Sequence, residues 1–334
     1  MVAQHSGIAS LHPTMSSSAS QLDFVTIDVF TNQPYEGNPL AVVRIPHGRT
    51  VSQEQKQTIA REFNLSETTF LHERDEAVQE DVWAVDIFMT TRELPFAGHP
   101  TVGTACYILG RVTQERGIQT GVVEAEFKLK AGPVGLKYDV AKGTAKASIP
   151  HDVHIHNRSY RREEIFELQP QLAVAQQQNQ IHVKEDHAIV SIVKGMTFIL
   201  IELESMHALE MVSLTGRSVV VDGLDENWKD TFVGTYFFVR TGKRAEGVST
   251  LRTRMIEGQL EDPATGSAAS GLAAFLSLTE GNANEALKFH ITQGVEMGRR
   301  SEIFIDVELA SDRSISKVYL EGGAVAVMEG RLRI

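Results

Sequence analysis

The most constraining feature of this chain is a short motif that occurs twice. Gly98-His99-Pro100-Thr101-Val102-Gly103-Thr104-Ala105 and Glu261-Asp262-Pro263-Ala264-Thr265-Gly266-Ser267-Ala268 share a Pro, a Gly and an Ala at the same spacing, with Thr opposite Ser. Apolar residues at helical spacing follow each copy: Val102, Ala105, Cys106 and Leu109 after the first, Ala268, Leu272, Phe275 and Leu276 after the second. Pro is favoured in a first helical turn, where its missing N–H costs nothing. The pattern therefore predicts one main helix opening at Pro100 and another at Pro263, the two starts facing each other across one site.

Around each motif the sequence is rich in strands. Leu22 to Phe30 alternates and is β-branched, and Leu40 to Ile45, Thr68 to Leu71 and Val82 to Met89 read the same way. Ser52 with Gln55 three residues on predicts a capped helix to about Asn64. Strands are expected again at Val122 to Leu129, Val134 to Val140, Ala145 to Ile149, Ala188 to Val193, Phe198 to Leu203, Thr235 to Arg240 and Thr250 to Ile256. The last are Phe289 to Thr292, Ile303 to Leu309, Lys317 to Glu321 and Ala324 to Leu332, with a hairpin turn at Gly322-Gly323. The fold class is α+β: two similar halves, each a mixed or antiparallel sheet wrapped around a central helix. The boundaries expected are an N-terminal extension over 1–22, a first half over 23–150, a polar connector over 151–186 and a second half over 187–334. Within the connector a short helix near Arg162 to Glu167 and a Gln-rich surface loop at 176–180 are expected.

Composition sets the outer limits. The 334 residues suffice for two domains and a sizeable core. One cysteine, Cys106, excludes an intrachain disulfide. A net charge of −11 argues against a nucleic-acid partner but leaves room for a small anion held by local donors. No apolar run is long enough to suggest a membrane helix. Residues 1–22 carry no Lys, Arg, Asp or Glu, which fits neither a secretory signal nor a mitochondrial presequence. They read as a disordered tail, and the cytoplasm is the expected location.

Helix starts carry unpaired N–H groups and partial positive charge, so they suit a carboxylate or phosphate. Gly98, Gly103, Gly266 and Ser267 would let a ligand approach the backbone. His99 leads the first motif and Asp262 the second; His titrates near neutrality, and Asp is a common N-cap. Glu67, entering the strand Thr68-Thr69-Phe70-Leu71, would be partly desolvated, which raises a carboxyl pKa toward that of a general acid/base. Each has an ordinary reading too: Asp262 as a helix cap, His99 as a loop histidine, Glu67 as a surface glutamate. His151, His154 and His156 include two residues on one strand face, but no acidic pair stands nearby at ligand spacing, so metal binding is not expected. Walker-type, dinucleotide and His-Glu-x-x-His motifs are absent.

The set of motifs resembles the phenazine-biosynthesis isomerase (PhzF-like) family, which shares the diaminopimelate-epimerase fold. The matching segments are Asp28-Val29-Phe30-Thr31, Gly37-Asn38-Pro39-Leu40-Ala41-Val42-Val43, Asn64-Leu65-Ser66-Glu67-Thr68-Thr69-Phe70 and Glu93 to Thr101. Glu261 to Ser267, Gln293-Gly294, Met297-Gly298-Arg299 and Gly322-Gly323-Ala324-Val325 complete them. The resemblance implies pseudo-symmetric halves with the active site in the cleft between them, a homodimer, and no metal or organic cofactor. It implies Glu67 as the residue that removes a proton from carbon and returns it elsewhere, assisted by His99 and Asp262. It further implies that the amides of Gly98 and Ser267, beside Gly266, hold a substrate carboxylate, and that Asn38 contacts the substrate. Epimerases of this fold use a cysteine from each half, and those positions are read here as His99 and Asp262. The expected function is a proton shift within a small unsaturated carboxylic acid. A non-catalytic binding protein with the same cleft and a cysteine-type epimerase remain as alternatives.

Overall fold

The computed structural model describes residues 21–334 apart from 76, 78 and 79. The expected tail over 1–20 lies outside the described residues, while Gln21 and Leu22 already belong to the first strand and Leu22 is buried. In chain order the elements begin β1 (Gln21–Val29), β2 (Asn38–Ile45), α1 (Gln53–Phe63), β3 (Thr68–His72), β4 (Val82–Phe88), β5 (Glu93–Leu94) and α2 (Gly98–Glu115). They continue with β6 (Val122–Leu129), β7 (Gly132–Asp139), β8 (Thr144–Ser148), β9 (His154–Arg161), α3 (Arg162–Leu168), α4 (Pro170–Gln177), β10 (Asp186–Val193), β11 (Met196–Glu202) and α5 (Met206–Glu210). The last are β12 (Phe232–Lys243), β13 (Ser249–Glu257), β14 (Leu260–Asp262), α6 (Gly266–Glu280), β15 (Ala286–Gln293), β16 (Ser301–Leu309) and β17 (Ile315–Arg333).

These strands form one mixed sheet. β2 runs parallel to β3, β4 to β6, β11 to β12 and β13 to β15; the other pairs are antiparallel. Pairing runs from β1 through β2, β3, β4, β6, β7 and β8 to β17, which returns to β1. The circuit closes like a barrel and leaves no edge among these strands. α2 packs against β1, β2, β3, β7, β8 and β17. A second series continues from β17 through β16, β15, β13, β12, β11 and β10 to β9, and α6 packs against β10, β11, β15, β16 and β17.

The two main helices are buried because their apolar stripes run nearly all round. In α6, Gly266 and all of Ala268 to Ala274, with Leu276 and Ser277, are buried. Small residues there allow strands to approach closely. One apolar core includes residues of both helices, among them Val102, Leu109, Ala268 and Leu272, together with Leu320 of β17. A second lies beneath α3, α4 and α5, and a third beneath α1. The capping box of α1 forms as expected: Gln55 N donates to Ser52 Oγ at 3.1 Å, and Ser52 N donates to Gln55 Oε1 at 2.9 Å.

Four expectations are corrected. α2 opens at Gly98 rather than Pro100, and α6 at Gly266 rather than Pro263. Asp262 ends β14, so the Pro263-Ala264-Thr265 stretch leads into the helix instead of forming its first turn. Gly322 and Gly323 do not turn; β17 runs straight through them. A Cβ on Gly322 would lie 2.3 Å from the Phe30 ring, so this glycine makes room for an aromatic side chain. The short helix expected near Arg162 to Glu167 forms as α3, and residues 151–186 also contain β9 and α4. β9 pairs with β10, and Tyr160, Ile165, Leu168 and Leu172 supply core. The first two residues of the Gln-rich piece, Gln176 and Gln177, belong to α4.

Candidate active site

The two helix starts meet. A Cβ added to Gly98 would lie 3.6 Å from the Cα of Gly266, and one added to Gly266 would lie 3.7 Å from His99 N. The first-turn amides of both helices, which no helix can satisfy internally, are thereby gathered in one place. Gly98, His99, Gly266 and Ser267 occupy the first two positions of their helices. The equivalence is therefore Gly98 with Gly266 and His99 with Ser267. The sequence repeat, which set His99 opposite Asp262, is offset from the helix starts by five residues.

Three elements bring titratable groups to this junction. Glu67 sits between the left-handed Asn64 that ends α1 and the first residue of β3. β3 is fixed against α2 by a 2.9 Å bond between the buried hydroxyls of Thr69 and Thr104. His99 Nδ1 lies 3.5 Å from Glu67 Oε2, with the two side chains only 7% and 15% exposed. Asp262 comes from the other side, at the end of β14.

Burial decides how these groups ionise. It pushes the Glu67 carboxyl up to about 7, against a small opposing pull from the Ser66 hydroxyl. It pushes His99 down to about 4, although the Asp262 charge and the Pro39 carbonyl favour the imidazolium. Asp262 rises to about 6, again mainly by burial, with Thr265 and His99 pulling it down and the Glu67 charge pushing it up. Near neutrality, then, His99 is a neutral imidazole and Glu67 is poised to lose or take a proton. Their contact is thus not a salt bridge, because the imidazole carries no charge whether or not the carboxyl is ionised. The Nε2 of His99 is buried without a hydrogen-bond partner in the described structure. Such an orphan is costly unless a ligand or water meets it.

Asp262 is held from several directions. Thr265 Oγ1 donates to Oδ2 at 2.6 Å, and Asn38 Nδ2 donates to Oδ1 at 2.9 Å and to the Ala264 carbonyl at 3.0 Å. Gln293, fully buried, donates through Nε2 to the Asp262 carbonyl at 2.8 Å and to Thr265 Oγ1 at 3.0 Å. Its Oε1 accepts from the Tyr236 hydroxyl at 3.0 Å. One residue back, Glu261 pairs with the buried Arg254 (Nε to Oε1 2.7 Å, Nη2 to Oε2 2.8 Å), which fixes the β13–β14 turn. Asn38 in turn follows a loop clamped by Arg299, which donates to Asp28 Oδ1 at 2.6 Å and to the carbonyls of Glu36 and Gly37.

Of the eight residues singled out in the sequence, seven belong to this neighbourhood: Asn38, Glu67, Gly98, His99, Asp262, Gly266 and Ser267; the eighth, Gly103, faces Val29, Leu40 and Ile27 in the core instead of a ligand. Asn38, read as a substrate contact, spends its amide nitrogen on Asp262 and Ala264. Thr265, Gln293, Tyr236 and Arg254 were missed as supports. Gln293 and Thr265 carried a signal, their places in the Gln293-Gly294 and Glu261 to Ser267 motifs. Cys106 lies off the site, with Sγ 3.4 Å from the Gly322 carbonyl, and burial pushes its thiol up to about 12. A thiol so held is not a base at neutral pH.

Known proteins of this architecture carry matching sequences. The PhzC-PhzF family profile, "Phenazine biosynthesis-like protein", matches residues 27–330. An uncharacterized isomerase of Mesorhizobium japonicum is 30% identical over 324 residues, covering 93% of this chain and 99% of its own. The trans-2,3-dihydro-3-hydroxyanthranilate isomerase of Pseudomonas aeruginosa is 30% identical over 314 residues, covering 92% and 98%. The crystal structure of the Bacillus anthracis phenazine biosynthesis protein of the PhzF family superposes with a TM-score of 0.71 at 19% identity, covering 94% and 99%, which shows a shared fold. The chain is an enzyme of the isomerase class. Within that class it belongs to the PhzC-PhzF family of phenazine biosynthesis-like proteins.

Proposed function

We propose that this isomerase shifts a proton within a small unsaturated carboxylic acid, with Glu67 as the acid and base. The observation that carries the reading is a carboxyl raised to about 7 by burial, 3.5 Å from a neutral imidazole. A base of that strength is half ionised near neutrality, where proton transfer in both directions is easiest. As carboxylate, Glu67 takes a proton from a substrate carbon. As the acid so formed, it returns one to another carbon, while the double bonds move between. Atoms and charge balance, and no electron acceptor is required.

The other roles follow from position. The amides of Gly98 and Ser267 would hold the substrate carboxylate beside Gly266, assisted by the positive ends of two helices. His99, neutral and with Nε2 lacking a partner, would donate to or accept from the substrate. Asp262, fixed by Asn38, Thr265 and Gln293, would assist as a second carboxyl. In the same reading, the closed circuit around α2 and the strand series around α6 are pseudo-symmetric halves, the site is their cleft, and the working form is a homodimer.

The relative from Pseudomonas aeruginosa supplies a first probe, trans-2,3-dihydro-3-hydroxyanthranilate. In deuterated water the wild type should convert it and place deuterium on a product carbon. Glu67→Gln should lose on the order of 10²- to 10⁴-fold in kcat with the fold unchanged. In the wild type, kcat/KM should rise with pH through about 7, because the base must be ionised. Turnover by Glu67→Gln within a few-fold of the wild type would remove Glu67 from the chemistry. Binding without any deuterium entry would leave a protein that holds acids but does not isomerise them.

A further inference from the structure

We propose that His154, His156 and Asp225 form a site for a divalent transition-metal ion of the zinc type, separate from the acid–base junction. β9 places His154 and His156 two residues apart on one face. The stretch between α5 and β12 brings Asp225 over them, and one ligand atom from each of the three lies within 4.8 Å of the others. His154 Nε2 is 2.7 Å from Asp225 Oδ2, and His156 Nδ1 accepts a long 3.3 Å bond from Asp225 N. His154 and Asp225 are partly open to solvent, with side chains 30% and 19% exposed, whereas His156 is buried.

The hydrogen-bond order around His156 fixes which nitrogen carries the lone pair. Thr231 Oγ1 donates to the Phe232 carbonyl at 3.0 Å. Its oxygen is therefore left to accept from Thr197 Oγ1 at 2.8 Å. Thr197 in turn accepts from Ser191 Oγ at 2.6 Å, and Ser191 accepts from His156 Nε2 at 2.9 Å. Run in this direction, the chain of hydroxyls puts the proton of His156 on Nε2 and the lone pair on Nδ1, toward Asp225 and His154. A ligand histidine whose other nitrogen is held by an outer partner is the usual arrangement in metal sites. Asp225 has outer partners too: Asn157 donates to Oδ2 through its backbone N at 3.2 Å and its Nδ2 at 3.1 Å. Trp228 lies flat on His154, 4.7 Å away at 7°, and holds that ring in place.

Two imidazoles and one carboxylate suit zinc, with water as a fourth ligand; magnesium and calcium prefer all-oxygen sets. Bonds of ~2.1 Å place tetrahedral ligands ~3.4 Å apart. The ion would thus draw the widest pair in by a little over an ångström, within reach of side-chain rotation, and replace both the His154–Asp225 hydrogen bond and the long one from Asp225 N to His156 Nδ1. Lys194, with Nζ 5.7 Å from the Trp228 ring, is a cationic neighbour that should keep affinity moderate. Bound metal would staple the segment around Asp225 and Trp228 to β9, stabilising the folded chain by mass action.

The test uses the full chain stripped with a chelator, titrated with Zn²⁺ by calorimetry and with Co²⁺ by visible absorption. The expected result is one ion per chain, a tetrahedral Co²⁺ band, and a Tm that rises with Zn²⁺. His154→Ala and Asp225→Asn should each weaken binding by at least about tenfold and abolish the Tm rise. His154→Cys, which keeps a metal ligand, should retain binding, and this separates lost coordination from a disturbed loop. His182→Ala, at an exposed histidine elsewhere, should leave affinity unchanged. No saturable binding below ~100 μM, or equal affinity in His154→Ala and the wild type, would overturn the site.

Discussion

At the scale of single residues, the junction exchanges stability for reactivity, and pH should expose that exchange. Glu67 is raised above its unfolded value, so its protonated form is the one the folded state favours. The stability this contributes is fully present below 4.5 and is lost as pH rises through about 7. Asp262, raised to about 6, acts in the same direction. His99 opposes them: its folded value is depressed, so its contribution is present above 6.5 and lost as pH falls toward 4. Glu67→Gln removes the first effect and, with it, the part of the Asp262 rise that the Glu67 charge causes. At about pH 8 this variant should be more stable than the wild type by at most about 3 kcal/mol, and at about pH 5 the two should be nearly equal. Urea unfolding at both values checks it, and a difference independent of pH would mean that Glu67 is not desolvated. The residue types were legible because acid–base chemistry needs few of them. Their supports were not, since Asn38 reaches Asp262 across 224 residues of chain and Gln293 across 31. No local pattern records contacts of that range.

At the scale of elements, the site depends on two helices meeting without side chains between them. Leu320 of β17 wedges against both: a Cβ on Gly98 would come within 2.7 Å of its Cδ2, and one on Gly266 within 2.9 Å. Leu320 is fully buried, so it has little room to yield. Gly98→Ala should therefore cost about 1–3 kcal/mol, as overpacking does. It should reduce activity further by moving the amides of the first turn. Adding Leu320→Val removes the colliding methyl and should restore most of the stability, read as Tm, without restoring full activity. A single variant as stable and as active as the wild type would show that the helix starts tolerate separation. That the starts meet was legible from the repeat, but their register was not. The Pro, Gly and Ala identities aligned two stretches of which the first lies within its helix and the second mostly before it. Sequence matching follows residue types, whereas a helix starts where the backbone first satisfies its hydrogen bonds. For the same reason Gly322-Gly323 read as a turn. Glycine marks room as often as it marks reversal, and the Phe30 ring that needs the room is distant in sequence.

At the scale of the whole molecule, β17 joins the two strand series. Its first part pairs with β16 and β8, and residues 324–333 pair along the whole of β1. The sequence boundaries place the chain's end with the second half. The sheet instead places it beside the chain's first strand, because β1 needs a second partner to close the circuit around α2. Each residue of that pairing is a modest gain, but together they cover Leu22, Val25 and Ile27, which are buried. Deleting residues 324–334 should open the barrel at β1 and present an unpaired edge of nine residues that includes Leu22, Phe24, Val25, Ile27 and Val29. The shortened chain is expected to aggregate on expression or to lack cooperative unfolding, seen by sedimentation and by hydrogen exchange along β1 and α2. Removing only Ile334, which lies past the strand and is exposed, should leave stability within about 0.5 kcal/mol of the wild type. A soluble, cooperatively folding 324–334 deletion would show that the circuit can hold α2 without closing at β1.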